Sequence, residues 1–398
     1  MEPTANETLQ DALIRHQVYL LRYSGYVRNY ITQILDATEQ DIASKIRDTL
    51  RNSKGFNTSA DVRKLQRTMD QVRAIRSNAW NTSNEWLVDQ MKQLAVAEPK
   101  FIQAIMQEAA PVELDMRFPP DRQLLGIVKS QPMQGQLLSD WADSMEAEDL
   151  RRIQAGIQMG MIAGEDSATI ARRVLGTGAL NGTDGMTEIT RRQVEAITRT
   201  AVMSVANEVR DDFFQENADL LETEVFVATL DSRTTAICRA LDGKRFAPGE
   251  GPRPPLHFNC RSLRVAVFDD QVLGMRPAKA ATQKMLLEEF ADENDLTDIV
   301  SRDDLPRGMK TKFDVFESRR VRQLTGQVPA DTTYQEWLTR QSKAFQDEIL
   351  GKTKGDLFRG GLTLDKYVAA NGTELTLGQL AQRYPSAFRN AGLDPANF

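Results

Sequence analysis

A single interruption in an otherwise helical pattern constrains this chain more than any other feature. Between Glu222 and Phe268 the apolar residues stop recurring every three or four positions. EVFVATL (224–230) is β-branched and aromatic, and SLRVAVF (262–268) alternates Leu263, Val265 and Val267 with Ser262, Arg264 and Ala266. Both read as strands. The stretch between them includes LDGKRFAPGEGPRPPLHFNC (241–260), whose glycines and prolines force irregular backbone. Within it Asp242-Gly243 is a hairpin-turn signal and Pro254-Pro255 a rigid turn.

On either side the helical period holds. Leu13, Leu20, Val27, Ile31, Ile34, Ile42 and Ile46 mark amphipathic helix from Leu9 to Leu50, with a break expected at Ser24-Gly25. Leu65, Met69, Val72 and Ile75 continue it after the loop Gly55-Phe-Asn-Thr-Ser59, which supplies N-cap residues. The paired prolines of MRFPPDR (116–122) place a subdomain boundary there. Val194, Ile197, Ala201, Val205, Val209 and Phe213 signal a further long helix, and TYQE (333–336) and TLGQ (376–379) fit the capping-box pattern. The glycines of GTGALNGTDG (176–185) follow a helix, not a strand, so no dinucleotide fingerprint is present.

The expected fold is mainly α with a small β-hairpin module (α+β), multi-domain, with an elongated helical N-terminal region. Its units are an N-terminal helical bundle (1–115), a helical region leading into the motif (123–222), the β module (223–268), a charged connector (269–306) and a C-terminal helical domain (307–398). The N-terminus is polar and no run of eighteen apolar residues occurs, so neither a membrane span nor secretion is expected.

The chain has two cysteines and two histidines, and Cys238, His257 and Cys260 fall within 23 positions of one another. Two thiolates and an imidazole suit zinc, and His257-x-x-Cys260 lets one turn present two ligands. A closed tetrahedral site needs a fourth ligand, and the position that would complete a Cys-x-x-Cys pair holds Thr235. Asp231, Asp242 or a water would have to complete the shell. Three states stay open: a zinc site, two buried unmetallated thiols, or a disulfide. His16, alone on its helix, reads as a packing or surface residue.

Charge gives a second reading of the same segment. From Asp231 to Arg264, Arg233, Arg239, Lys244, Arg245, Arg253, Arg261 and Arg264 stand against Asp231, Asp242 and Glu250, a net +4 inside a chain of net charge -6. Such a module suits phosphate contacts without base readout, through Arg233, Lys244, Arg245, Arg261 and Arg264. Equally, the arginines can pair with acidic helices of the same chain.

Asp231-Ser232-Arg233-Thr234, Cys238, Leu241-Asp242-Gly243, Gly251-Pro252, Pro254-Pro255-Leu256-His257 and Asn259-Cys260-Arg261 form an ordered series. It resembles the signature of the phage Mu protein F-like family of minor head, or head morphogenesis, proteins. The preceding helix ITRTAVMSVANEVR (197–210) resembles the Arg-Thr-containing helix of that family, and the resemblance covers about residues 150–268. Thr235 and Ser262 depart from it, since cysteine is common at both positions. The resemblance implies a virion protein of a tailed-phage head, located in the head interior or at the portal vertex and assembled in the host cytoplasm. Its implied partners are the portal protein, capsid or scaffolding proteins, and packaged double-stranded DNA bound without sequence specificity. It implies a role in capsid assembly or genome delivery and no catalytic residue. The rival reading is a metal-supported DNA nuclease or DNA-processing protein that uses His257.

Overall fold

The computed structural model describes residues 5–51, 58–110, 112–180, 182–268 and 275–398. Helix α1 (Ala5–Asp36) runs through Ser24-Gly25 without the expected break. The Ser24 hydroxyl donates to the Leu21 carbonyl within the helix, and no atom lies near Gly25 that the helix must avoid. The turn comes instead at residues 37–38, before α2 (Glu39–Leu50). Gly55, Phe56 and Asn57 of the expected loop lie outside the described residues. Thr58 caps α3 (Ser59–Ala109) in a capping box with Asp61. At 1.5 Å per residue this 51-residue helix is about 77 Å long.

Beyond the extended 116–120 stretch come α4 (Asp121–Ser130), α5 (Leu138–Ile162), α6 (Ser167–Leu175) and α7 (Thr187–Glu216). The middle of α7, residues 200–207, is buried on every side, and there AVMSVA (201–206) is small and largely apolar. One core joins Leu20 and Val27 of α1, Trp80 and Met91 of α3, and Val194, Val202 and Val209 of α7. The Pro119-Pro120 segment therefore connects helices of a shared core, in contrast to the expected separation of 1–115 from 123–222. It is pinned there: the Arg117 amide donates to Asn217 Oδ1 at 2.8 Å, and Asn217 Nδ2 donates back to the Arg117 carbonyl at 2.9 Å.

A buried clasp sets the helix register. Asp149 of α5 accepts from Arg76 Nε (2.6 Å) and Trp80 Nε1 (3.0 Å) of α3 and from Thr190 Oγ1 (2.7 Å) of α7. Arg76 reaches on to the Leu35 carbonyl and the Thr38 hydroxyl at the α1–α2 turn, so a single ion pair fixes that turn and three helices.

The strands are β1 (Thr223–Val227), β2 (Arg245–Phe246) and β3 (Leu263–Val267), antiparallel in the order β2-β1-β3, with Val225 opposite Val265. One face packs on Leu9, Leu13, Ile102 and Phe213. The helix α8 (Ala236–Leu241) lies between β1 and β2, so Asp242-Gly243 ends a helix and does not form the expected hairpin turn. Gly243 takes φ +78°, the left-handed conformation that lets the chain leave α8 for β2.

The first six residues of the expected connector, 269–274, lie outside the described residues. The rest is more ordered than its charge suggests. β4 (Met275–Lys279) pairs antiparallel with β5 (Thr325–Pro329), and α9 (Gln283–Glu293) packs against α10 (Arg307–Gln323) through Leu287, Phe290, Phe313 and Phe316. The expected boundary at residue 306 thus falls between two packed helices. α11 (Tyr334–Thr339), α12 (Lys343–Leu350), α13 (Lys352–Arg359), α14 (Leu377–Arg383) and α15 (Pro385–Asn390) close the chain around Trp337, Phe345 and Leu357, joined by Leu230 and Ala278 from outside the unit. Both expected capping boxes are formed, Thr333 with Glu336 and Thr376 with Gln379.

Candidate functional site

The chain from 228 to 262 folds over the β1 end of the sheet and brings the three uncommon residues together. Cys238 sits on α8, while His257 and Cys260 belong to one turn in which the Cys260 amide donates to the His257 carbonyl at 3.2 Å. Asn259 supplies the left-handed residue of that turn, at φ +59°. Helix α7 grips it: Arg199 Nη1 donates to Asn259 Oδ1 at 2.9 Å, and Thr200 Oγ1 accepts from the Asn259 amide at 3.3 Å. These are the Arg-Thr pair of the helix singled out in sequence. The Pro254-Pro255 bond is cis, Gln134 Nε2 donates to the Pro255 carbonyl at 3.0 Å, and the Phe258 ring meets Trp141 edge-on at 5.2 Å.

Within the cluster, Cys238 Sγ lies 3.8 Å from Cys260 Sγ and 3.3 Å from His257 Nε2. Both thiols are free and buried, under Phe226, Ala228, Leu241, Phe246 and Leu256. His257 Nδ1 faces the Phe258 carbonyl at 2.8 Å, which directs Nε2 at the sulfurs. The hydrogen bond from Cys238 holds Cys260 well below the usual thiol range, at about 4, against its burial and with His257 adding to the effect. The same bond, and then burial, push Cys238 up. Burial lowers His257, but its contact with Cys260 outweighs this and the imidazole is raised.

The donor set fits zinc. All three ligand atoms lie within 4.8 Å of one another. A tetrahedral ion with bonds of about 2.3 Å to sulfur and about 2.05 Å to nitrogen spaces two sulfurs about 3.8 Å apart, and sulfur from nitrogen about 3.5 Å. The two residues that depart from the family signature are at the same spot. Thr235 Oγ1 is 2.9 Å from His257 Nε2, and the Ser262 hydroxyl bonds to Cys238. Two hydroxyls therefore lie beside the three donor atoms, at the positions where the resemblance implies cysteine. Neither Asp231 nor Asp242 fills that place, because both are committed elsewhere.

Asp231 is ion-paired with Arg261, Nη2 to Oδ1 at 2.9 Å, and accepts the Arg233 amide at 3.0 Å. Burial opposes its ionisation, but Arg261 holds the carboxyl below its ordinary value. Asp242 accepts the Ala228 amide (2.6 Å) on Oδ1 and the Tyr334 amide (2.6 Å) on Oδ2, and Arg276 forks onto both oxygens at 3.0 Å. Arg276 also donates to the Ala228 and Thr332 carbonyls. Asp242 is thus the joint between the motif and the C-terminal helices. Arg276 escaped the sequence reading because it lies in MRPAK, which carries no strand signature.

The basic residues divide. Arg233, Lys244 and Arg245 are exposed. Arg261 is committed to Asp231, and Arg264 is corrected outright: only 1% exposed, it pairs with Glu224 at 2.8 Å and cannot face a phosphate. Arg264 also stacks over Phe246 at 4.4 Å and donates to the Pro252 (3.0 Å) and Glu250 (3.1 Å) carbonyls, which fastens the Gly-Pro loop to the sheet. Gly251 is required there, since a Cβ would run into the Phe246 ring. Arg253 of the same loop pairs with Asp211 of α7. Burial, reinforced by the charge of Asp211, pushes the Glu224 carboxyl up to about 7.

His16 is part of a different arrangement. Its Nε2 contacts Glu98 Oε2 at 2.7 Å, and Arg210 Nη2 meets the other oxygen of Glu98 at 2.7 Å. No helix among the described residues is long and apolar enough to cross a membrane. Residues 151–264 match the family described as Phage Mu protein F like protein. No curated protein and no solved structure matches the chain.

Proposed function

We propose that this chain, which carries a Phage Mu protein F like domain over residues 151–264, is a minor head protein of a tailed bacteriophage that acts in capsid assembly or genome delivery. The observation that carries the reading is the family match, together with a motif built as a brace. Four polar groups of the signature are engaged within the chain: Asp231 with Arg261, Asp242 with Arg276, Asn259 with Arg199, and His257 with the thiols. Such a module holds a long α3–α7 scaffold and the C-terminal helices in one arrangement, the property a connecting part of a head shell needs.

The rival nuclease reading needs a base free to take a proton from water. His257 has both nitrogens engaged, one on a carbonyl and the other on Cys238 and Thr235, and so favours the brace. In this reading Cys238, His257 and Cys260 hold a structural zinc, which would supply folding energy and no reaction. The partners are the portal protein and neighbouring capsid or scaffolding proteins. Contact with packaged DNA falls to Arg233, Lys244 and Arg245, the exposed remainder of the basic set.

Removing the gene by a nonsense mutation and complementing it in trans tests the proposal. Expected results are a loss of infectious particles, protein detected in DNA-filled heads of the complemented phage, and no plasmid cleavage by the purified chain with divalent metal. Normal particle yield and genome delivery without the gene would refute a head role. Cleavage abolished by His257→Ala would favour the nuclease.

A further inference from the structure

Cys238 and Cys260 are each 1% exposed, packed with Phe226, Ala228, Leu241, Phe246 and Leu256. Their polar neighbours are His257, Thr235 and Ser262. His257 and Thr235 are half-buried, so the cluster meets solvent at one imidazole and one hydroxyl. With the sulfurs this covered, a reagent of a few atoms can reach them and a peptide-sized one cannot. Three protein donors are present where a closed structural zinc site has four, and a neutral hydroxyl is a poor substitute for thiolate. Asp231 and Asp242 stay with Arg261 and Arg276, so one coordination position has no protein donor. The two sulfurs are 3.8 Å apart, and a disulfide of about 2.05 Å asks each to move by less than about 1 Å. Cys238 and Cys260 are the chain's two cysteines, so each has the other as its sole partner within the chain.

We propose that this three-donor cluster is a redox switch, in which a small hydroperoxide converts the two thiolates to a Cys238–Cys260 disulfide and zinc leaves. The inference rests on the zinc assigned above to Cys238, His257 and Cys260. One thiolate attacks a peroxide oxygen, the O–O bond breaks, and a sulfenic acid forms with release of hydroxide or alkoxide. The second thiolate then attacks that sulfur and expels hydroxide, closing the S–S bond. Two electrons pass from the sulfurs to the peroxide, and two protons from water turn hydrogen peroxide into two waters. A dithiol reverses the step by exchange, and the regenerated thiolates take zinc again. A disulfide has no charge to offer the ion, and His257 alone cannot hold it. His257 opens the turn that Asn259 fastens to Arg199 and Thr200 of α7, so oxidation loosens the brace where it meets the helical scaffold.

The test uses the full chain, purified without chelator and with its zinc content measured, then treated with a modest excess of hydrogen peroxide. A chromophoric chelator follows the ion, and mass spectrometry of tryptic peptides follows the cysteines. Expected are one zinc released for each Cys238–Cys260 cross-link, and recovery of both thiols and the ion on adding dithiothreitol with zinc. Oxidised glutathione, too bulky for the covered sulfurs, should release zinc about tenfold or more slowly than peroxide. Thr235→Cys, shown to be folded by circular dichroism, supplies the missing donor and should slow the release by peroxide about tenfold or more. A zinc-bearing chain that keeps its ion and both thiols under peroxide overturns the switch and leaves the structural zinc standing. A chain that carries no zinc removes the zinc reading and the switch with it. Cross-links between two chains on a non-reducing gel, or oxidation to sulfinic acid that dithiothreitol does not reverse, overturn the switch, as does unslowed release in Thr235→Cys.

Discussion

Replacing Asp242 by alanine removes one carboxylate and strands three donors. The Arg276 guanidinium, 3% exposed, loses its counter-charge, and the amides of Ala228 and Tyr334 lose their acceptor. Breaking a buried ion pair from one side costs about 3–5 kcal/mol, and each orphaned buried amide about 1–3 kcal/mol. Arg276 keeps the Ala228 and Thr332 carbonyls, and the small cavity admits some relaxation, so the sum is an upper bound and about 5 kcal/mol is expected. Urea unfolding followed by tryptophan fluorescence reads this directly, since Trp337 packs on Tyr334 at 5.1 Å. In Asp242→Ala/Arg276→Met the stranded cation is gone and only the two amides remain unpaired. The double variant should therefore recover at least about 2 kcal/mol over the single one. Asp242→Asn separates this account from a simple turn: a turn tolerates asparagine well, whereas here its NH2 would point at Arg276 or at an amide. A loss below about 1 kcal/mol for Asp242→Ala, additive single effects, or a neutral asparagine would refute the joint.

Three further outcomes follow from the site. Chain purified without chelator should carry one zinc by elemental analysis, lose it in Cys238→Ser and Cys260→Ser, and bind it more tightly in Thr235→Cys; stoichiometric zinc in the serine variants would contradict the ligand set. The folded Glu224 carboxyl, at about 7, binds its proton more tightly than the unfolded one, at 4.5. Its contribution is present in full below pH 4.5 and is lost as the pH rises through 7, by at most about 3 kcal/mol. Glu224→Gln should abolish that part of the pH dependence, and an unchanged difference between pH 5 and 8 would exclude it. For duplex DNA, glutamine at Arg233, Lys244 and Arg245 together should flatten the log-log salt dependence of binding by about 2.7, while Arg264→Gln should leave the slope alone. An altered slope in Arg264→Gln would place that residue at the surface.

The long helices and the first and third strands were legible because each carries its own period. The capping boxes at Thr333 and Thr376 were legible because both partners lie within four residues. The Cys238, His257 and Cys260 cluster could be located from rarity alone. What held it could not: Arg199 and Thr200 reach Asn259 across about sixty residues, and no local pattern records that contact. The β4–β5 ribbon was invisible for a related reason. MRPAK and TGQVP each contain proline and little β-branched side chain, and they pair because Arg276 is drawn to Asp242 and Ala278 joins the C-terminal core. The Asp-Gly signal correctly marked a change of direction and misassigned the elements it joins, since α8 is too short to show a period.

The basic segment shows why formal charge and surface charge part company. Arg239 and Arg264 are buried, and Arg253 and Arg261 are paired with Asp211 and Asp231. The β1–β3 register already implies half of this. With Phe226 opposite Arg264 and Glu224 opposite Ala266, Glu224 and Arg264 share one face of the sheet, two positions apart. A strand that places arginine among Leu263, Val265 and Val267, beside one that places glutamate next to Val225, presents complementary charges to the same space. Once the Gly-Pro loop covers that face, the pair has no solvent to prefer, and the arginine that seemed a phosphate ligand becomes the anchor of the loop.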